Sequence, residues 1–380
     1  MSMTSDSQLR QTLSAHLDAW VSHGGERRGA DPCCSEGATI VTNGTAKNSL
    51  LPGPELRRDA ADTVSAMAVA VSEIADLLSL GALAGPFGAA TGRWSAVDPQ
   101  RELDVLANTR VLDALAAAPV AMLVSEELDE PAMLPGKGVL AVAVDPLDGA
   151  SNADTNAAIG TIFSVFLMPD RHPGEPILSG GHQLAAGFAV YGPQTVLVLT
   201  LGAGTHVFTL DPRRGEFVLT AAHVTIPVDA AEFAINAANH FHWDEPIRSY
   251  VDGCLKGADG PRAASHNMRW TGSFVAEVYR ILVRGGVYLY PGDARPAYRN
   301  GRLRLAYEAC PVAFIVEQAG GAASTGHQRI LDVPVTAWHQ RTPVIVGSRH
   351  EVEAVDRLHS DPFPLGERSP LFNRRGLFRV

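Results

Sequence analysis

The residues best suited to chemistry are carboxylates placed directly after apolar segments. Val139-Leu-Ala-Val-Ala-Val144 runs straight into Asp145-Pro146-Leu147-Asp148-Gly149-Ala150-Ser151-Asn152. Pro146 fixes φ at the bend, and the second acid returns three residues after the first. That spacing can aim both carboxylates and the Leu147 carbonyl at one point, an all-oxygen set suited to Mg²⁺, or to Mn²⁺ in its place. The small Gly149, Ala150 and Ser151 would let a phosphate approach backbone N–H groups. Taken alone, Asp145 and Asp148 fit the capping acids of an ordinary strand–turn–helix equally well.

A second acidic group, Ser125-Glu126-Glu127-Leu128-Asp129-Glu130, follows the apolar run 121–124. By itself it reads as a solvated loop, but two strand ends each carrying paired acids are a less common coincidence. Glu308 lies in Arg302-Leu-Arg304-Leu-Ala-Tyr307-Glu308-Ala-Cys310-Pro311. Beside two arginines it reads first as a structural ion pair, so a catalytic role for it needs outside support.

These groups need elements to hold them. Val64, Met67, Val71, Ile74, Leu77 and Leu78 recur at helical spacing over 60–80, and a second amphipathic helix covers 102–115. Residues 1–58 are rich in Gly, Ser, Asn and Pro, with one short helical pattern at 13–21. Short apolar runs at 121–124, 139–144, 161–167, 195–201 and 206–210 read as buried strands. Asp211-Pro-Arg-Arg-Gly215 reads as a hairpin turn into 216–219. A second region begins near Ile226, with a helix at 273–283, a strand at 287–290, a loop at 291–301, a helix at 307–319, a strand at 344–347 and a polar tail. Helices and strands mixed in both halves predict layered α/β sheets, with domains at 1–225 and 226–380.

The chain has 380 residues, 46% of them hydrophobic, enough for a substantial core, and a net charge of −10. That charge excludes nucleic acid or an anionic membrane as the expected partner. Residues 1–15 lack the apolar core of a signal peptide, and no apolar run reaches the ~18 residues of a membrane span. Cys33, Cys34, Cys254 and Cys310 show no metal-ligand spacing. Adjacent cysteines pair poorly, so reduced thiols in a cytoplasmic protein are expected.

From about Val64 onward the sequence resembles the class I fructose-1,6-bisphosphatases, within the lithium-sensitive sugar-phosphatase group. The motifs are Glu102-Leu-Asp104-Val-Leu-Ala-Asn108, Ser125-Glu-Glu127, the 145–152 segment and Gly160-Thr-Ile-Phe163. Further on come Ala185-Ala-Gly-Phe-Ala-Val-Tyr-Gly192, Tyr288-Leu-Tyr290-Pro291, the 302–311 segment, Glu317-Gln-Ala-Gly-Gly321 and His339-Gln-Arg341. Asp-Pro-Leu-Asp-Gly alone would also fit inositol monophosphatases; the Arg302/Arg304 pair and the 288–291 segment point to the bisphosphatase branch.

The resemblance implies a five-layer α/β/α/β/α sandwich, usually a homotetramer, hydrolysing the 1-phosphate of fructose 1,6-bisphosphate in gluconeogenesis or the Calvin cycle. It implies that Glu126, Asp145, the Leu147 carbonyl, Asp148 and Glu308 hold metal. Glu127 and Asp104 would orient and deprotonate the attacking water. The Gly149, Ala150 and Ser151 amides, beside Asp148, would hold the 1-phosphate, with Arg304 near it. Asn236, Trp270, Tyr290 and Arg302 would meet the sugar and the 6-phosphate, and Arg269 would reach in from a neighbouring subunit.

Ala150 stands where the family has Ser, Trp270 where it has Tyr, and Arg302 where it has Lys. Ala237-Ala238-Asn239-His240 replaces a Glu-Gly-aromatic stretch. These changes fall on the phosphate cradle and the distal pocket and leave the acids intact. The alternatives are sedoheptulose 1,7-bisphosphatase, alone or as a dual activity, and a non-catalytic sugar-phosphate sensor. The resemblance implies no thioredoxin control, because family members under that control carry a cysteine-bearing insertion in the first domain and residues 168–183 here carry no cysteine. AMP control is not expected either: the family's Lys-Tyr pair and Arg for AMP map onto Val139-Leu140 and Leu167.

Overall fold

The computed structural model describes residues 11–23, 52–83, 102–135, 138–168, 178–260 and 262–360. The protein is mixed α/β with two main sheets. The larger has the order Ala132–Met133, Val120–Ser125, Leu140–Asp148, Ile159–Leu167, Gln183–Tyr191, Thr195–Thr200, Thr205–Asp211, Glu216–Ala221. Among the described residues, its only parallel pair is Val120–Ser125 with Leu140–Asp148. The smaller has the order Asn267–Met268, Glu232–Ala234, Val287–Tyr290, Val344–Gly347, Ala322–Ser324.

Side-chain alternation along a strand decides what each face packs against. In Leu140–Asp148, Leu140, Val142 and Val144 join a core with Val64, Met67 and Ile74 of the helix Pro54–Leu80 and Leu103 and Val111 of the helix Glu102–Leu115. Ala141 and Ala143 point the other way, into a core with Phe274, Val278 and Ile281 of the helix Phe274–Arg284 and Val312 and Ile315 of the helix Cys310–Gln318. Burial on both faces explains the unbroken apolar run in the sequence. The same second core takes Tyr288, Val344 and Val346 from the smaller sheet. That sheet's opposite face, Phe233, Val287, Leu289 and Ile345, packs with Ile247 and Tyr250 of the helix Glu245–Leu255 and Val352 and Val355 of the helix Arg349–Ser360.

Pro54–Leu80 is long and apolar enough to cross a membrane by length and composition, but Val64, Met67, Val71 and Ile74 line one face and are wholly buried in the core. It starts earlier than the periodicity predicts, at a Pro in the first turn after Gly53. Glu102–Leu115, Phe274–Arg284 and Val344–Gly347 fall within a residue of expectation. The helical pattern at 13–21 is the helix Leu13–His23, docked by Leu13, Leu17, Trp20 and Val21.

The helix Glu245–Leu255 and the strands Glu232–Ala234 and Ala322–Ser324 were not read from the sequence, and three further elements differ from the reading for definable reasons. Gln183–Tyr191 is an interior strand of the large sheet, yet its Ala- and Gly-rich sequence has little strand propensity. A Cβ at Gly187 would stand 2.5 Å from the Phe163 ring, so close packing selects the glycine. The tail read as polar forms Arg349–Ser360 as far as residue 360, because Val352 and Val355 face the core. The helix predicted at 307–319 opens with a π-helical turn, Leu305–Ala309, before Cys310–Gln318. Cys33 and Cys34 lie outside the described residues.

Candidate active site

The strand Leu140–Asp148 carries both acids of its motif, and its pairing with Ile159–Leu167 slips between Asp145 and Asp148. Two hydrogen bonds pin this irregularity. Thr161 Oγ1 donates to the Pro146 carbonyl at 2.8 Å, and the Leu147 N–H donates to Asp145 Oδ1 at 2.9 Å. Glu308 enters from the π-helical turn and accepts the Arg304 N–H at 2.5 Å. A wide turn of this kind re-aims a side chain within an otherwise helical segment.

These geometries bring Asp145, Asp148 and Glu308 together, all buried, with one oxygen from each within 4.8 Å of the others. Burial, then repulsion from Glu126, Glu308 and Asp148, pushes the Asp145 carboxyl well above the usual range. Burial and Glu126 do the same to Glu308, with Arg304 opposing. Asp148 is raised less, to about 6: burial lifts it, while the Val275 N–H and the Ser273 hydroxyl hold it down. Three buried like charges at this separation are unfavourable without a cation between them. The donor set is all oxygen and carries the charge a hard divalent ion needs, so the residues fit Mg²⁺ or Mn²⁺.

Glu126 is only half-buried and stands beside this group. Its N–H donates to the Val144 carbonyl at 3.1 Å, and Arg304 Nη2 lies 3.4 Å from its Oε1. Behind it, the Glu127 N–H donates to Ser125 Oγ at 3.2 Å, and Ser125 Oγ donates to Asn108 Oδ1 at 2.7 Å. This chain ties the 125–127 acids to the helix Glu102–Leu115, which also carries the buried Asp104.

Gly149 has φ of 74°, and the chain then makes the short 3₁₀ segment Ala150–Thr155. A Cβ at Gly149 would stand 3.1 Å from Ser273 Cβ, so the turn needs glycine for both conformation and space. Ala150 is half-buried and Ser151 exposed.

The proposed sugar-side residues come from several segments of the second region. The Trp270 ring lies parallel to Tyr288, centroids 5.8 Å apart, and edge-on to Tyr290 at 5.8 Å. The Arg302 guanidinium sits 3.7 Å from the Tyr298 ring centroid and 5.6 Å from that of Tyr290. Asn236 Oδ1 accepts the Ala238 N–H at 3.1 Å, capping the turn Ala237–His242. Arg269 is exposed, with its Nε 3.5 Å from Glu232 Oε1 of the same chain.

Sequence reasoning missed Ser273. It caps Phe274–Arg284 by accepting the Ala276 N–H and donates to Asp148 Oδ2 at 3.1 Å. A serine just before an apolar helical run is an N-cap signal that could have found the cap, but not its second partner. Tyr298 was missed as well, having no motif of its own.

Two family models match the chain. The model described as "Fructose-1-6-bisphosphatase, N-terminal domain" covers residues 51–222, and "Fructose-1-6-bisphosphatase, C-terminal domain" covers 226–360. A class 1 fructose-1,6-bisphosphatase of Nitrobacter hamburgensis is 53% identical over 330 residues, 86% of this chain and 96% of that protein. One of Rhodopseudomonas palustris is 52% identical over 328 residues, 85% of this chain and 94% of that protein. Among solved structures, the holo form of Leishmania major fructose-1,6-bisphosphatase superposes with a TM-score of 0.74 at 35% identity, over 80% of this chain and 95% of that one.

Proposed function

The chain belongs to the fructose-1,6-bisphosphatase family and has the class 1 fructose-1,6-bisphosphatase activity; from that premise we propose that the cluster of Asp145, Asp148 and Glu308 is where the 1-phosphate is hydrolysed. The observation that carries this is the convergence of three buried carboxylates within 4.8 Å, beside a glycine turn that admits close approach. With Glu126 and the Leu147 carbonyl, these residues would hold Mg²⁺ or Mn²⁺. Such ions supply charge neutralisation for the transferring phosphoryl and the leaving sugar oxygen, and acidify water.

The chain's own residues do the rest. Glu127 and Asp104 orient the attacking water and take its proton. The amides of Gly149, Ala150 and Ser151 hold the 1-phosphate, and Arg304, already beside Glu126, balances its charge. Asn236, Trp270, Tyr290 and Arg302 hold the sugar and the distal phosphate. Arg269 completes that end from a neighbouring subunit of a homotetramer.

The three core clusters support a five-layer α/β/α/β/α arrangement. The gap between the two family matches at 222 and 226 supports division into 1–225 and 226–380. Buried Cys254 and Cys310, with thiols raised to about 11 and about 12 by burial, fit a reducing cytoplasm.

The experiment is phosphate release from fructose 1,6-bisphosphate with and without magnesium. Metal-dependent release is expected; release unaffected by chelation would sink the metal reading. The altered 237–240 stretch favours one second reading, activity on sedoheptulose 1,7-bisphosphate as well. The ratio of kcat/KM values on the two sugars decides it.

A further inference from the structure

The loop between Tyr290 and Arg302 is tightly built. The Asp293 N–H donates to the Tyr298 carbonyl at 3.1 Å, and the Gly301 N–H donates to the same carbonyl at 3.0 Å. A Cβ at Gly301 would lie 2.2 Å from the Thr342 carbonyl oxygen, and one at Gly292 would lie 2.3 Å from that of Arg299, so the backbone is packed against itself and its neighbour. Inside this frame Arg295 is clasped: its Nε donates to Asp293 Oδ1 at 3.0 Å and its Nη2 to Asn239 Oδ1 at 2.8 Å. The Ala294 N–H donates to the His242 carbonyl at 3.0 Å. The loop is therefore fastened to the stretch that replaces the family's Glu-Gly-aromatic residues.

Two guanidiniums meet the Tyr298 ring, Arg302 at 3.7 Å from the centroid and Arg295 at 4.7 Å. Arg295 has its carboxylate in Asp293. Among the described residues Arg302 has no carboxylate within ion-pair distance; it rests against the Tyr298 and Tyr290 rings and hydrogen-bonds the Tyr290 side chain. A guanidinium resting on an aromatic face keeps its in-plane N–H groups available, and a planar fork suits a phosphate. A carboxylate partner would occupy those donors instead.

We propose that Tyr298 is a positioning residue for substrate binding, its ring holding the Arg302 guanidinium oriented and clear of any carboxylate for the distal phosphate. The proposal rests on the reading that Arg302 faces that phosphate. It gives the arginine at this position a partner of its own, since a lysine would present a compact ammonium with no plane to stack. Tyr298 touches no reacting atom, so its effect falls on binding and not on the chemical step.

The test uses the full-length enzyme with magnesium and the variants Tyr298→Phe, Tyr298→Leu and Arg302→Ala. Tyr298→Leu should raise both KM for fructose 1,6-bisphosphate and the inhibition constant of fructose 6-phosphate by roughly five- to tenfold, with kcat within about twofold. Tyr298→Phe, which keeps the ring, should stay within about twofold of the parent in all three. In an Arg302→Ala background, Tyr298→Leu should add nothing further. Equal losses in the Phe and Leu variants, or additive losses with Arg302→Ala, would overturn the positioning role. If Arg302→Ala alone leaves both constants unchanged, the distal-phosphate reading of Arg302 fails. If it raises them and Tyr298→Leu does not, that reading stands and the role of Tyr298 falls.

Discussion

Asp148 Oδ2 accepts the backbone N–H of Val275 at 3.0 Å across 127 residues of chain. Val275 lies in the first turn of Phe274–Arg284, where N–H groups have no partner within the helix and the helix dipole is positive. Ser273 Oγ donates to the same carboxylate oxygen. The acid that ends a strand of the large sheet is thus oriented by a helix contributed by the second region.

Asp148→Asn should leave the fold intact and abolish turnover. An amide can still accept the Val275 N–H, but it cannot supply the charge a divalent ion needs. Circular dichroism and thermal melting should match the parent while phosphate release falls to background. Near-normal release from the folded variant would remove Asp148 from the site.

Ser273→Ala should lower stability by about 1 kcal/mol, the usual loss for an N-cap serine. It also removes one of the donors holding Asp148, so half-maximal activity should need several-fold more magnesium. A melting point that falls with an unchanged magnesium requirement would mean that the serine serves the helix alone.

His359 gives a pH signature far from the acids. Burial alone would lower its pKa, but hydrogen bonds to Asp244 and to the Val355 carbonyl, with the Asp244 and Asp356 charges, carry it above the ordinary value. A His whose folded pKa exceeds its unfolded value stabilises fully below about pH 6.5, and that contribution fades as pH rises through the folded pKa. The parent should therefore exceed His359→Gln in stability at pH 5.5 by more than it does at pH 9. Denaturant titrations at both values measure this; an equal gap would show that the ion pair contributes nothing.

AMP should not inhibit effectively. Leu140 pairs in register with Leu167 across the sheet, and the Met168 N–H donates to the Val139 carbonyl at 2.7 Å, so all three positions matched to the family's AMP residues lie at one sheet end. Apolar side chains there offer no charge-assisted hydrogen bond, each worth about 1.5–3 kcal/mol, to a phosphate. Inhibition at low micromolar AMP would require a nucleotide site built from other residues.

The periodic and apolar parts of the chain were legible because their signal is local. Val64, Met67 and Val71 announce a helix at any position, and the run 139–144 announces a strand buried on both faces. The order of acids was legible as well: Asp145 and Asp148 flank a proline at a strand end, and the motifs around them identify the family. Gln183–Tyr191 was not legible as a strand, since Ala and Gly lie there to fit Phe163 and neighbouring backbone, a requirement set by the partner strands. Nor could Arg349–Ser360 be read, because its polar composition hides two valines whose burial depends on a core assembled from Phe233, Ile247, Val287 and Leu289, far earlier in the chain.

Glu308 shows the division most plainly. In sequence it sits beside Arg302 and Arg304 and reads as an ion pair; in the fold, the Arg304 side chain reaches Glu126, and the Arg304 backbone N–H donates to Glu308. The Glu308 carboxylate meets Asp145 and Asp148, more than 150 residues earlier in the chain. Residue types and local spacing determined which groups could bind a cation. Which of them share one buried point was decided by the packing of two sheets around common helices, because electrostatic cost and metal affinity depend on distance in space and not on separation along the chain.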